Sequence, residues 1–293
     1  MLRESKPVQA VRRSPRFRQI TNRLRVFPSF LIIGTQPAGT RSLFNALRQH
    51  PDIVGQRELY FFDQRFSNGV DWYRSFFPLS TSRFAYRLRG GDLVAGESAP
   101  TYLFHPDVPE RVAQVLPDVA LIALLRDPIE RAYWHYESLR LKGLEPLSFA
   151  DALAAEGQRA VEEEKRVVDP HDWKPHEQYG YAGRGLYADQ LERWFAFFPR
   201  NRFLVRGAED YAAEPATIYD EVLAFLEVRN RRLQRFPEVD WMTPAPIDPA
   251  LRSQLEERFA EPNARLASLL DQEFRWGGAA TPSTPARDET AAR

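Results

Sequence analysis

The stretch LIIGTQPAGTRSLFNAL, residues 31–47, opens as an apolar strand and closes as an amphipathic helix, with a glycine-bounded turn between them. Phe30, Leu31, Ile32 and Ile33 form a β-branched and aromatic run of the kind that fills a buried strand. Gly34 and Gly39 let the backbone turn tightly, and Thr40 is the expected N-cap of the helix carrying Leu43, Phe44 and Leu47. A helix N-terminus after such a loop offers unpaired N–H groups and the positive end of the helix dipole, which suits a phosphate or sulfate. The lettering departs from the Walker pattern G-x-x-x-x-G-K-[ST], because Thr40 stands where the lysine would be. An ATP-driven phosphotransferase is therefore disfavoured. On this stretch alone, an anion site and a plain structural turn both stand.

The rest of the chain sets the frame. Its 293 residues can bury one substantial core. Forty acids balance forty bases, which argues against bulk nucleic acid as a partner. The balance is local only in part: residues 3–25 hold eight arginines and lysines against Glu4. Residues 1–27 are expected to be a basic, solvated and poorly ordered arm, ahead of contact with an anionic surface. The absence of cysteine excludes disulfides, thiolate metal sites and cysteine nucleophiles. No apolar run approaches the roughly 18 residues that span a membrane, and no secretory signal precedes the first strand. The expectation is a soluble, cytoplasmic protein.

Strands are expected over 29–33, 93–96, 119–125 and 202–206, with helices near 40–50, 106–116, 129–142, 184–198, 215–227 and 248–270. Runs such as VALIALL (119–125) lack alternation, as strands of a parallel sheet covered on both faces do. The fold class is therefore α/β, with a mostly parallel central sheet flanked by helices. Ligands of such sheets bind beyond the carboxyl ends of the strands, where the 34–42 turn lies. Residues 156–180 are highly charged with little apolar periodicity and read as a long surface segment or lid. Residues 277–293 lack core-forming residues and read as a disordered tail.

Polar residues at strand ends are the candidates for chemistry. Strand 119–125 runs into Arg126-Asp127-Pro128, and a guanidinium there can hold a phosphate bidentately, or simply pair with Asp127. RELYFFD (57–63) sets Glu58 and Asp63 beside a Tyr-Phe-Phe wall, and a carboxylate desolvated by aromatic rings is a candidate general base. His135 is expected to partner a nearby carboxylate. His171 and His176 lack two-ligand helical spacing, and no metal site is expected.

The segments GTQPAGTRSL (34–43), RELYFFD (57–63), GESAPTYLFHPDVPER (96–111), LIALLRDPIERAYWHY (121–136), GLYADQLERWFAFFP (185–199) and VRGAED (205–210), taken in order, carry more than any one of them. Together they resemble the sulfotransferases that use 3′-phosphoadenosine 5′-phosphosulfate (PAPS), most closely the branch with the heparan sulfate sulfotransferases and their bacterial relatives. The resemblance covers roughly residues 28–276 and implies a P-loop-type three-layer sandwich. It implies that Gln36, Pro37, Ala38, Gly39, Thr40, Arg41 and Ser42 surround the 5′-phosphosulfate. It places the arginine of the 3′-phosphate motif on Arg126 and the serine on Trp134. Glu58 falls on the base that deprotonates the acceptor, a hydroxyl or amine with a saccharide among the candidates. Asp63 and Ser98 fall on positions bordering that acceptor.

Three departures are visible. Pro37 replaces the usual lysine or arginine of the first motif, Trp134 replaces the serine, and Ser98 replaces the heparan-type lysine. Pro37 removes both a cation and a backbone N–H from the anion cradle, so Arg41 or Arg57 is the expected substitute at the leaving group. The alternative is a degenerate relative that binds nucleotide or acceptor without turnover. Trp134 either costs the 3′-phosphate a hydroxyl or packs into the core of its helix beside Tyr133 and Tyr136. Oligomeric state is not readable from the chain.

Overall fold

The computed structural model describes residues 14–88, 90–164, 179–239 and 246–277. Five strands, β1 (Phe30–Gly34), β2 (Ile53–Arg57), β3 (Val94–Ser98), β4 (Ala120–Leu125) and β5 (Phe203–Gly207), form one sheet in the order β2-β3-β1-β4-β5. Every pairing is parallel, from Phe30 against Gly96 and Ala120 to Leu121 against Phe203. The helices are α1 (Pro15–Thr21), α2 (Thr40–Leu47), α3 (Phe61–Gln64), α4 (Val70–Arg74), α5 (Ser80–Arg87) and α6 (Val108–Val115) in the first half. They continue with α7 (Pro128–Leu141), α8 (Phe149–Glu164), α9 (Tyr187–Phe195), α10 (Ala208–Ala213), α11 (Pro215–Phe225) and α12 (Pro249–Leu270).

Both faces of the sheet are dry, which explains the unbroken apolar runs. On β1, Leu31 and Ile33 enter one core with α3, α6, α9 and the end of α12. Phe30 and Ile32 enter the other, with α2 and α11. β4 divides in the same way, Leu121, Ala123 and Leu125 on one side and Ile122 and Leu124 on the other. Gly96 is required where β3 passes Phe30, since a Cβ there would come within 2.1 Å of the phenyl ring. A third apolar cluster joins α7, α8 and the first half of α12 beyond the strand ends.

The four expected strands are present and β2 is a fifth. It is a half-buried edge strand containing Gly55, Gln56 and Arg57, so it lacks the apolar run that marks the others. The arm expected to be poorly ordered is folded from Ser14 onward: Ser14 caps α1, and Arg25 is buried with Nη1 donating to the Phe77 carbonyl at 2.6 Å. Residues 1–13 lie outside the described residues, as do 278–293 of the expected tail. The expected surface segment is helical up to Glu164 within α8, and 165–178 lie outside the described residues.

Candidate active site

A parallel sheet brings all its carboxyl ends to one edge, so Gly34, Arg57, Ser98 and Leu125 deliver their successors to a common crevice. The β1–α2 turn sits at its centre. Gly39, at φ +75°, is the N-cap, and Thr40 is instead the buried first residue of α2. A side chain at Gly39 would be strained by its φ and would press on Val239 and Tyr211 at 3.2–3.3 Å. No side chain caps α2, so the N–H groups of Thr40, Arg41 and Ser42 lack the acceptor that a cap would supply. Arg131, fully buried on α7, braces the turn by donating to the Gln36 carbonyl at 3.4 Å.

Around the turn the side chains divide by role. Gln36 is exposed and Pro37 half-buried, whereas Ala38 packs into the α2–α11 core and can offer only its backbone. The Ser42 hydroxyl is committed to the Tyr211 hydroxyl at 3.0 Å and the Pro237 carbonyl at 2.7 Å, so Ser42 also contributes only backbone. Arg41 points outward, and its Nη2 lies 3.4 Å from Glu58 Oε1.

Glu58 follows β2 with φ +57°, held by its N–H on the Ser98 carbonyl at 2.8 Å, and Tyr60 repeats the left-handed backbone at φ +52°. Two non-glycine residues in this region are strained by about 1–3 kcal/mol each, and such strain clusters at functional sites. Two rings of the expected aromatic wall are withdrawn: Phe61 and Phe62 turn into the core against Tyr73 while Tyr60 stays half-buried, and the Glu58 side chain is 37% exposed beside Arg41. Asp63 is likewise buried, accepting from the Thr101 hydroxyl and the Gln64 N–H. Ser98 is buried and serves the site through its carbonyl. Beneath this turn lies Glu97, fully buried, accepting from the Tyr73 hydroxyl at 2.6 Å and the Tyr102 hydroxyl at 2.9 Å. Tyr102 in turn accepts from the Phe61 N–H at 2.9 Å, and burial pushes the Glu97 carboxyl up to about 7.

The other wall of the crevice is cationic. Arg126 is buried next to Glu209, and its carbonyl accepts from the Tyr187 hydroxyl at 2.9 Å. Glu209 accepts from the Asp127 N–H at 3.0 Å, and burial pushes it up to about 7. Arg131 donates to the Tyr181 carbonyl, and Arg184 lies over the Phe104 ring at 5.2 Å. Burial lowers the Arg131 guanidinium to about 10, with Arg184 and Arg126 adding repulsion and Tyr187 and Glu156 opposing it. A small cleft lined by Thr35, Gln36, Phe104, Arg131, Arg184 and Gln190 opens among these groups. The carboxylate partner expected for His135 is not found among the described residues: the ring is half-buried against Tyr181, and desolvation with Arg131, Arg184 and Lys142 nearby holds it well below its ordinary value. Trp134 is half-buried and stands apart from the Tyr133–Tyr136 cluster, with Nε1 lacking an acceptor among the described residues.

Arg131 and Arg184 are the members that sequence reasoning missed. A signal was present for Arg184, which is framed by glycines in GRG, whereas Arg131 lies off the apolar face of α7 formed by Ile129, Ala132 and Tyr136 and no local pattern singles it out. Glu156 fixes Arg184's loop by accepting from the Ala182 and Gly183 N–H groups at 2.9 and 2.8 Å.

The fold and the site define an α/β protein with a glycine-bounded turn leading into an uncapped helix N-terminus, a cationic wall and an exposed carboxylate facing an arginine. No family model matches the chain. Human heparan sulfate glucosamine 3-O-sulfotransferase 6 is 30% identical over 280 residues, covering 86% of this chain and 75% of that protein. The membrane-associated sulfotransferase kil1 of Dictyostelium discoideum is 25% identical, covering 88% of this chain and 68% of that one. The chain spans only 22% of human bifunctional heparan sulfate N-deacetylase/N-sulfotransferase 3, at 31% identity. Among solved structures, a sulfotransferase from Alicyclobacillus acidocaldarius matches with a TM-score of 0.63 and 28% identity, over 85% of this chain and 98% of that one. The chain belongs to the sulfotransferase family.

Proposed function

We propose that this sulfotransferase, through a domain spanning residues 28–276, takes its sulfuryl group from PAPS and passes it to a hydroxyl or amine of a saccharide. The observation that carries this reading is the Arg41–Glu58 pair at the mouth of the uncapped α2 N-terminus. The α2 N–H groups would hold the phosphosulfate end, and Arg126 would hold the 3′-phosphate in a wall already rich in guanidinium. Glu58 would accept the proton of the attacking hydroxyl or amine. Arg41 would lie beside it to stabilise charge that develops on the oxygen leaving sulfur. Relatives named for heparan sulfate support the saccharide as acceptor.

Pro37 favours a second reading, a binding protein without turnover, because it offers neither cation nor N–H. The two part in one experiment. Radiolabelled sulfate from PAPS is offered with desulfated heparan-type oligosaccharides to the full chain and to Glu58→Gln. Sulfation by the parent, reduced a hundredfold or more in the variant, supports the enzyme. Silence of the parent on every acceptor, with donor still bound, supports the binding protein.

A further inference from the structure

Seven large apolar side chains stand exposed among the described residues, and four of them lie on two elements stitched together at one end of the molecule. They are Ile20 (81% exposed) and Leu24 (63%) on α1 and the turn after it, and Phe84 (64%) and Leu88 (73%) on and just beyond α5. Phe84 and Leu88 have the i, i+4 spacing that puts two side chains on one helical face, and Leu24 stands exposed in the 3-10 turn (Asn22–Leu24) that directly follows the helix carrying Ile20. Arg25 bridges to Leu79, and the Val26 N–H donates to the Pro78 carbonyl at 2.9 Å, so the chain just after Leu24 is fastened to the start of α5.

Charge says what this surface faces. On α1, Phe17 and Arg18 turn inward, Arg18 over the Phe76 ring at 4.6 Å, whereas Arg16 and Gln19 are exposed with Ile20, and in the turn after it Arg23 is exposed with Leu24 and pairs with Asp71 at 3.5 Å. Arg87 is exposed beside Phe84 and Leu88, and it and Arg83 share Asp92. The sequence before α1 adds Arg3, Lys6, Arg12 and Arg13 against Glu4 alone. Exposed aliphatic and aromatic residues flanked by arginines form the pattern of a helix lying in a membrane interface, apolar side chains among acyl chains and guanidiniums on anionic headgroups. The surface also lies at the right end. Residues 25–29 lead into the amino end of β1, whereas the Arg41–Glu58 crevice lies at the carboxyl ends of the strands.

We infer that α1, the turn after it and α5 dock the protein peripherally on an anionic lipid surface through Ile20, Leu24, Phe84 and Leu88, with the crevice left facing away.

The full chain is sedimented with vesicles of phosphatidylcholine alone or with one-third phosphatidylserine, at low and high salt. The expected result is capture by the anionic vesicles only, weakened by salt. Ile20→Ser/Leu24→Ser and Phe84→Ser/Leu88→Ser are expected to lower the bound fraction severalfold each, and the fourfold variant at least tenfold, with unchanged thermal unfolding. Absence of capture overturns the inference. So does undiminished capture of the folded variants, which would assign binding to the basic stretch alone. Concentration-dependent dimerisation that the same serines abolish, without vesicle capture, would assign the surface to a second copy and overturns it as well.

Discussion

Arg41 Nη2 lies 3.4 Å from Glu58 Oε1, and the two residues come from different strand ends of the sheet, one after β1 and one after β2 with β3 between them. The pair is exposed, so its worth to stability is at most about 1 kcal/mol. Its position above an uncapped helix terminus points to chemistry instead. Arg41→Ala is expected to leave the melting temperature within a few degrees and to lower kcat for sulfuryl transfer by about a hundredfold to a thousandfold, the cost typical of losing one preorganised donor. Initial rates and a thermal melt on the same preparation check it.

Pro37 offers no cation to the leaving group in the proposed transfer, and Arg41 and Arg57 are the proposed substitutes. Arg57 ends β2 with Nη1 buried and lacking a hydrogen-bond partner among the described residues. Returning a lysine by Pro37→Lys is expected to restore at least tenfold of the rate lost in Arg41→Ala or Arg57→Ala. Rates of the two double variants against their single parents give the answer, and no restoration in either would place the missing cation elsewhere.

Arg126 is buried beside Glu209. A phosphate that takes up this guanidinium gains a charge-assisted contact worth about 1.5–3 kcal/mol. Arg126→Ala is therefore expected to weaken 3′,5′-adenosine bisphosphate binding by roughly ten- to a hundredfold, while adenosine 5′-phosphate, which lacks the 3′-phosphate, changes little. Titration calorimetry with both nucleotides separates the cases.

Glu97 offers a test through pH. Burial raises its carboxyl from an ordinary 4.5 to about 7, so the folded state holds its proton over a range in which the unfolded chain has already released it. Stability is expected to fall as pH rises from about 4.5 to about 7, by at most about 3 kcal/mol from this group, and to level off above. Glu97→Gln, which keeps an acceptor for a tyrosine hydroxyl, should reduce that slope and leave the part that Glu209, also raised to about 7, contributes over the same range. Denaturant unfolding at several pH values checks it.

Much of the fold was legible because burial on both faces makes a strand declare itself: Phe30–Gly34, Val94–Ser98, Ala120–Leu125 and Phe203–Gly207 all lie within a residue or two of their expected bounds. β2 escaped because an edge strand is only half-buried and needs no apolar run. The turn, Glu58, Arg41 and Arg126 were named from their motifs, but the 3.4 Å meeting of Arg41 and Glu58 depends on strand order, which no local pattern encodes. The phenylalanines after Tyr60 were misplaced for a related reason. The left-handed backbone at Glu58 and Tyr60 swings Phe61 and Phe62 inward, and positive φ at a glutamate and a tyrosine has no sequence signature. Arg131 and Arg184 lie 53 positions apart, and only the packing of α7 against the 179–186 segment brings them to one cleft.

The central claim is that the α2 terminus and the arginine wall form a site for the adenosine bisphosphate portion of PAPS, despite Pro37 and Trp134. Calorimetric titration of the folded parent chain with 3′,5′-adenosine bisphosphate, with ADP and ATP as controls, tests it most directly. Micromolar binding selective for the bisphosphate is the expected result. No binding, or binding no tighter than that of ADP, would contradict the claim.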